Sequence, residues 1–296
     1  MLMKRLIFLL LIVATACGPS ASSAPQTAAV VLTSTTFLAD ITRNVAGDRV
    51  HVESLLPVGA DPHSYEPTPQ DVAKIEESRL IIINGAEYEH FLESLLENAG
   101  EEGEIIEASA GLRSTNAESE HGPDPHLWLD PNHVIVYVEN IREGLTHFDP
   151  DGAAVYQSNA EAYIAALQDL DAWIIEQRDR IPAEKRLLVT NHEALGYFAD
   201  RYSFTVIGTV IESFSSDAAP SAQQMAALVD QIRSSGAPAI FLDASDNPSL
   251  AQQIADETGV AVVTDLHLES LTEGIPAATY IDMMKHNVMQ IVEALR

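Results

Sequence analysis

The sequence predicts an α/β fold: two (β/α) lobes with parallel sheets, joined by one long α-helix. Three observations carry this. From Ala28 onward, apolar β-type runs alternate with segments of helical period. A second series of the same kind starts near Arg186. Between them lies a helical stretch with no Gly or Pro after Gly152 until the second series approaches. Strand–helix alternation of this sort calls for parallel strands linked by right-handed crossovers.

The first series reads AVVLTST, FLADITRNVAG, VHVESLLPVG, a helix opening near Pro69, then RLIIING. The second reads RLLVTNH, EALGYFADRY, FTVIGTVI, a helix from Ser221, AIFLD, SLAQQIADETG, VAVVTDL and a closing helix from Thr279. Ser221 and Gln224 are spaced as a capping box, which starts a helix by satisfying two orphan N–H groups reciprocally. In the middle, Tyr163, Ile164, Leu167, Leu170 and Ile174 recur at helical spacing. These readings divide the chain into residues 28–148, a linking helix over 149–181, and residues 182–296. The segment Ser114 to Pro123 is a polar loop.

With 296 residues, 46% of them hydrophobic and 20% charged, the chain has the size and composition for two modest lobes with real cores. Sixteen Lys and Arg against 44 Asp and Glu give a formal charge of −28, which repels nucleic acid and anionic membrane surfaces. A solvated acidic surface accounts for that balance without any cation site.

The N-terminus places Lys4 and Arg5 before the apolar run Leu6 to Val13 and then small residues, the pattern of a secretory signal over residues 1–16. The run falls short of the roughly 20 residues a membrane-spanning helix needs. Cys17, the sole cysteine, follows Ala14-Thr15-Ala16 and sits where a bacterial lipoprotein is cut and acylated. Residues 17–27 then read as a flexible Ser/Ala/Pro tether. The expected location is therefore extracytoplasmic, on a lipid anchor.

Of the ten histidines, His51, His90, His147 and His286 fall in strand or helix patterns where an ordinary surface or capped imidazole is expected. His63, His126 and His192 differ, because each lies at a turn between elements. His63, in PVGADPHSYEPTPQD, follows a strand and precedes a helix. His192 closes RLLVTNH in the corresponding place of the second series. His126, in DPHLWLDP, is held between prolines. Ligands of open α/β sheets bind at the carboxyl ends of strands. Three neutral imidazoles and one carboxylate make a four-coordinate shell for a borderline divalent ion. Asp265 and Glu269, at the end of VAVVTDLHLESL, both offer that carboxylate.

The motifs DPHSYEPTPQD, DPHLWLDP, TNHEALGYF, SFSSDAAPSAQQM and ESLTEG followed by TYIDMMKHNV resemble the zinc/manganese solute-binding proteins of bacterial ABC importers, the ZnuA and TroA type, over essentially the whole mature chain. The resemblance implies two (β/α) lobes bridged by one long helix, with a metal site in the cleft between them. It implies ligands at His63, His126 and His192, the last where manganese-selective relatives often carry Glu. It puts the fourth at Glu269, where Asp is commoner in the family. It further implies a monomer that captures zinc, or alternatively manganese, and delivers it to an ABC permease and its ATPase subunit. Zinc-type relatives often have a His-rich loop before the second ligand; here that loop holds only His121.

Two other readings compete. A secreted zinc hydrolase would use three histidines and an open fourth position. His192-Glu193 does not extend to the H-E-x-x-H of a zincin helix, because Gly196 stands where the second His belongs. A surface adhesin would use the same fold.

Overall fold

Among the described residues, eight strands form two sheets of four, and every pairing is parallel. The first contains β1 (Val30–Thr33), β2 (His51–Ser54), β3 (Leu80–Ile83) and β4 (Glu104–Glu107), in the order β2-β1-β3-β4. The second contains β5 (Leu187–Thr190), β6 (Thr205–Thr209), β7 (Ala239–Asp243) and β8 (Ala261–Leu266), in the order β6-β5-β7-β8. The two lobes thus repeat one winding. These features come from a computed structural model, which describes residues 30–92, 95, 104–114, 122–216 and 218–296. The signal segment, Cys17, the tether and His121 lie outside the described residues.

Helix starts follow local chemistry. In α1 (Thr36–Ala46) the Thr35 hydroxyl accepts from the Leu38 N–H, and α2 (Pro69–Glu77) opens on a proline, whose missing N–H costs nothing there. A 3₁₀ turn at Leu127–Leu129 leads into α3 (Pro131–Phe148), where Asp130 accepts from the Asn132 N–H. The linking segment begins with another 3₁₀ turn, Pro150–Gly152, and continues as α4 (Ala153–Arg178). Its 26 residues extend about 39 Å at 1.5 Å per residue, enough to run along both lobes. Further helices among the described residues are α5 (Gly196–Tyr202), α6 (Ala222–Ser235), α7 (Ser249–Thr258) and α8 (Tyr280–Leu295). The Ser221–Gln224 capping box is present at the start of α6.

The main core does not stop at the lobe boundary. Val31 and Leu80 of the first sheet, Tyr163 and Leu167 of α4, Leu188 and Phe241 of the second sheet, and Met283 and Val288 of α8 belong to one continuous buried cluster. Polar ties cross the same boundary. The Trp128 indole N–H donates to the Leu268 carbonyl at 2.8 Å, and the Tyr280 hydroxyl donates to the Trp128 carbonyl at 2.6 Å. Trp128 and Tyr280 are both fully buried. The loops between the lobes are therefore held by packing from both sides.

Candidate metal centre

His63, His126, His192 and Glu269 all lie beyond the carboxyl ends of strands: after β2, β4, β5 and β8 respectively. The fold brings them together, with one donor atom of each within 4.8 Å of all the others. His192 sits slightly further out than the sequence implies. β5 stops at Thr190, because the Thr190 hydroxyl donates to the His192 carbonyl at 2.7 Å and turns the chain away from the ladder. Asp265 still belongs to β8 and is exposed, whereas Glu269 lies three residues past the strand end and is buried.

The Glu269 Oε1 atom lies 3.2 Å from His126 Nε2, 3.3 Å from His192 Nε2 and 3.8 Å from His63 Nε2. His126 Nε2 and His192 Nε2 are 3.4 Å apart. Donors at the 2.0–2.1 Å usual for zinc, set at tetrahedral angles, stand about 3.3–3.4 Å from one another. The observed separations are close to that spacing, with His63 slightly withdrawn. Among the buried side-chain atoms that have no hydrogen-bond partner are His63 Nε2 and Glu269 Oε1. Leaving such atoms unsatisfied is costly unless something else occupies their lone pairs.

The supporting shell fixes these donors. Asp124 Oδ1 accepts from the His126 backbone N–H at 3.0 Å and pairs with the ring Nδ1 at 2.9 Å. With its proton on Nδ1, the ring turns an Nε2 lone pair toward the cluster. The His63 backbone N–H donates to Asp61 Oδ1, while Asp61 Oδ2 accepts from the Ser216 hydroxyl of the other lobe at 2.8 Å. The Tyr88 hydroxyl donates to Glu269 Oε2 at 2.5 Å. That contact engages one carboxylate oxygen and leaves Oε1 alone to face the imidazoles. Asp243 Oδ2 accepts from the Leu268 and Glu269 N–H groups and anchors the loop.

Electrostatics are strongly coupled. Burial alone would push the Glu269 carboxyl up, but the imidazoles, His126 foremost, hold it well below the ordinary carboxylate range. Burial would depress His126, yet the Glu269 charge and the bond to Asp124 lift it to about 9. His192 is held below its ordinary value, chiefly by burial. The Glu269 carboxylate and the raised His126 imidazole thus favour each other's charged form inside the cluster.

Sequence reading missed Tyr88, Asp124 and Asp243. Asp124 was visible as the Asp two residues before His126, a spacing at which a carboxylate reaches back to the following backbone N–H. Tyr88 lies 181 residues from Glu269, and no local pattern links them.

The family described as "Zinc-uptake complex component A periplasmic" matches over residues 31–294. Relatives include a manganese-binding lipoprotein of Halalkalibacterium halodurans, 35% identical over 98% of this chain and 96% of its own. Another is an iron-binding protein of Yersinia pestis, 34% identical over 89% of this chain and 85% of its own. Among solved structures, the periplasmic zinc-binding protein of Treponema pallidum superposes with a TM-score of 0.84 at 28% identity, covering 90% of this chain and 99% of that one. The manganese-bound periplasmic metal-binding protein of Candidatus Liberibacter asiaticus gives 0.80 at 30% identity, covering 90% of this chain and all of that one. Relatives of this kind are binding components of transporters rather than enzymes, and among the described residues no helix is long and apolar enough to cross a membrane. The chain belongs to the ZnuA family and is a metal-binding, substrate-binding component of an ABC transporter.

Proposed function

We propose that this chain captures one zinc ion between its lobes through His63, His126, His192 and Glu269, and hands it to a permease and its ATPase subunit. The observation that carries this reading is the pair of buried, unpartnered atoms, His63 Nε2 and Glu269 Oε1, within a donor set near tetrahedral spacing. Zinc is favoured because three nitrogen donors and one single-oxygen carboxylate suit a borderline ion in fourfold coordination. Zinc also stands above manganese in the general affinity order. The Tyr88 bond to Glu269 Oε2 supports the low coordination number. Acylation at Cys17 would hold a monomer at the outer face of the membrane, beside the permease.

A manganese reading is favoured by the names of relatives, including the manganese-binding lipoprotein at 35% identity. Manganese prefers oxygen donors and more of them, which this donor set supplies poorly. Competitive titration of the metal-free protein with zinc and manganese separates the two. Zinc displacing manganese at equal concentrations supports the proposal, and tighter manganese binding overturns it. A hydrolase would require an open position in the shell, and Glu269 fills that place in the proposed arrangement.

A further inference from the structure

A second group of metal-type donors lies outside the cleft, on the face where β8 meets α8. It consists of Asp265, His267 and His286, whose donor atoms lie within 4.8 Å of one another. Asp265 is the penultimate residue of β8, His267 follows the strand end, and His286 projects from α8, which packs on β8.

We propose that Asp265, His267 and His286 form a second, solvent-facing site for a borderline divalent cation such as zinc. His286 Nε2 lies 3.3 Å from Asp265 Oδ2 and 2.7 Å from the Asp265 backbone carbonyl. His267 Nε2 lies 3.8 Å from Asp265 Oδ1 and is buried without a hydrogen-bond partner. The two imidazole rings are 5.3 Å apart and tilted at 43°, so neither stacks on the other. Two ring nitrogens and one carboxylate oxygen therefore lie close enough together to share one ion, with the Asp265 carbonyl beside His286. The exposed side of Asp265 leaves room for water to complete the shell.

The placement is rigid where a ligand needs it. The His267 N–H donates to Asn287 Oδ1 at 2.8 Å, and its carbonyl accepts from Asn287 Nδ2 at 2.6 Å. This clamps the end of β8 to α8 one residue beyond His286. His286 Nε2–H donates to the Asp265 carbonyl. A cation would take the Nε2 lone pair of the tautomer that carries its proton on Nδ1. The donor set resembles the cleft in its imidazole content but is more open, so binding is expected to be weaker there.

The test is calorimetric titration of zinc into metal-free protein, beyond one equivalent, for the wild type and for the variants His286→Ala and Asp265→Asn. The expected result is two classes of site in the wild type and loss of the weaker class alone in each variant, the retained tight class serving as the folding control. A wild type with no second class overturns the proposal. So does a second class that persists in both variants, or loss of both classes in both variants. Anomalous scattering from crystals grown in excess zinc gives an independent readout: a peak between His267 and His286 is expected, and its absence beside an occupied cleft contradicts the site.

Discussion

Replacing Asp124 with Asn isolates the contribution of the residue behind the proposed ligand His126. Asp124 Oδ1 takes two bonds from His126, one from the backbone N–H and one from ring Nδ1, and both residues are almost completely buried. The substitution is isosteric. Its shape matters, because Asp124 Oδ2 lies where a Cβ on Gly196 would come within 2.9 Å, so there is no slack at the start of α5. An Asn carbonyl can still accept both bonds, but without charge they lose roughly half their strength. Loss of such a partner typically costs about 10–100-fold in metal affinity, equivalent to about 1.4–2.7 kcal/mol. The assay is zinc competition against a chromophoric chelator, with cooperative unfolding of the metal-free variant as the folding control. Affinity within about twofold of the wild type would refute the idea that Asp124 orients and enriches the His126 ring.

Other outcomes follow from the same geometry. His63→Ala, His126→Ala and His192→Ala are each expected to weaken zinc binding by at least about 100-fold, and wild-type affinity in any two would remove the assignment. The buried Glu89 carboxyl is pushed up to about 7, chiefly by burial, although Ser34 and the N–H groups of Asn84 and Gly85 bond to it. The folded state therefore keeps this proton up to about pH 7, whereas the unfolded chain gives it up near 4.5. Its contribution is fully present below about pH 4.5 and is lost as pH rises through 7, a change of about 3 kcal/mol in principle. Urea midpoints of Glu89→Gln that decline between pH 5 and 8 as steeply as the wild type would contradict this. Finally, the shared core and the Trp128–Leu268 and Tyr280–Trp128 bonds predict that metal moves the lobes little. X-ray scattering of metal-free and loaded protein is expected to give nearly the same radius of gyration, and a large change would contradict it.

Much of the fold was legible because each strand–helix unit carries its own periodicity. The parallel pairing in both sheets follows from that alternation, and α4 from its apolar spacing, whereas the order of the strands does not. The proposed ligands were legible because each of the three histidines lies at a turn between elements, and parallel sheets direct such turns at their strand ends toward one edge. Between Asp265 and Glu269 the choice turns on where β8 stops, which the sequence leaves open by a residue or two. What stayed hidden depends on contacts between distant segments. Tyr88 meets Glu269 across the cleft, and His286 meets Asp265 only because α8 packs back on β8. His286 looked like an ordinary helical histidine for that reason, and His267 offered no pattern at all.

X-ray absorption at the zinc edge of protein loaded with one equivalent of zinc tests the central claim most directly, because it reads the number, kind and distance of the donors together. The account predicts four nitrogen and oxygen donors at about 2.0–2.1 Å, three of them imidazoles by their outer-shell scattering, with that imidazole signal reduced in His192→Ala. A six-coordinate shell dominated by oxygen, or a spectrum unchanged in His192→Ala, would contradict it.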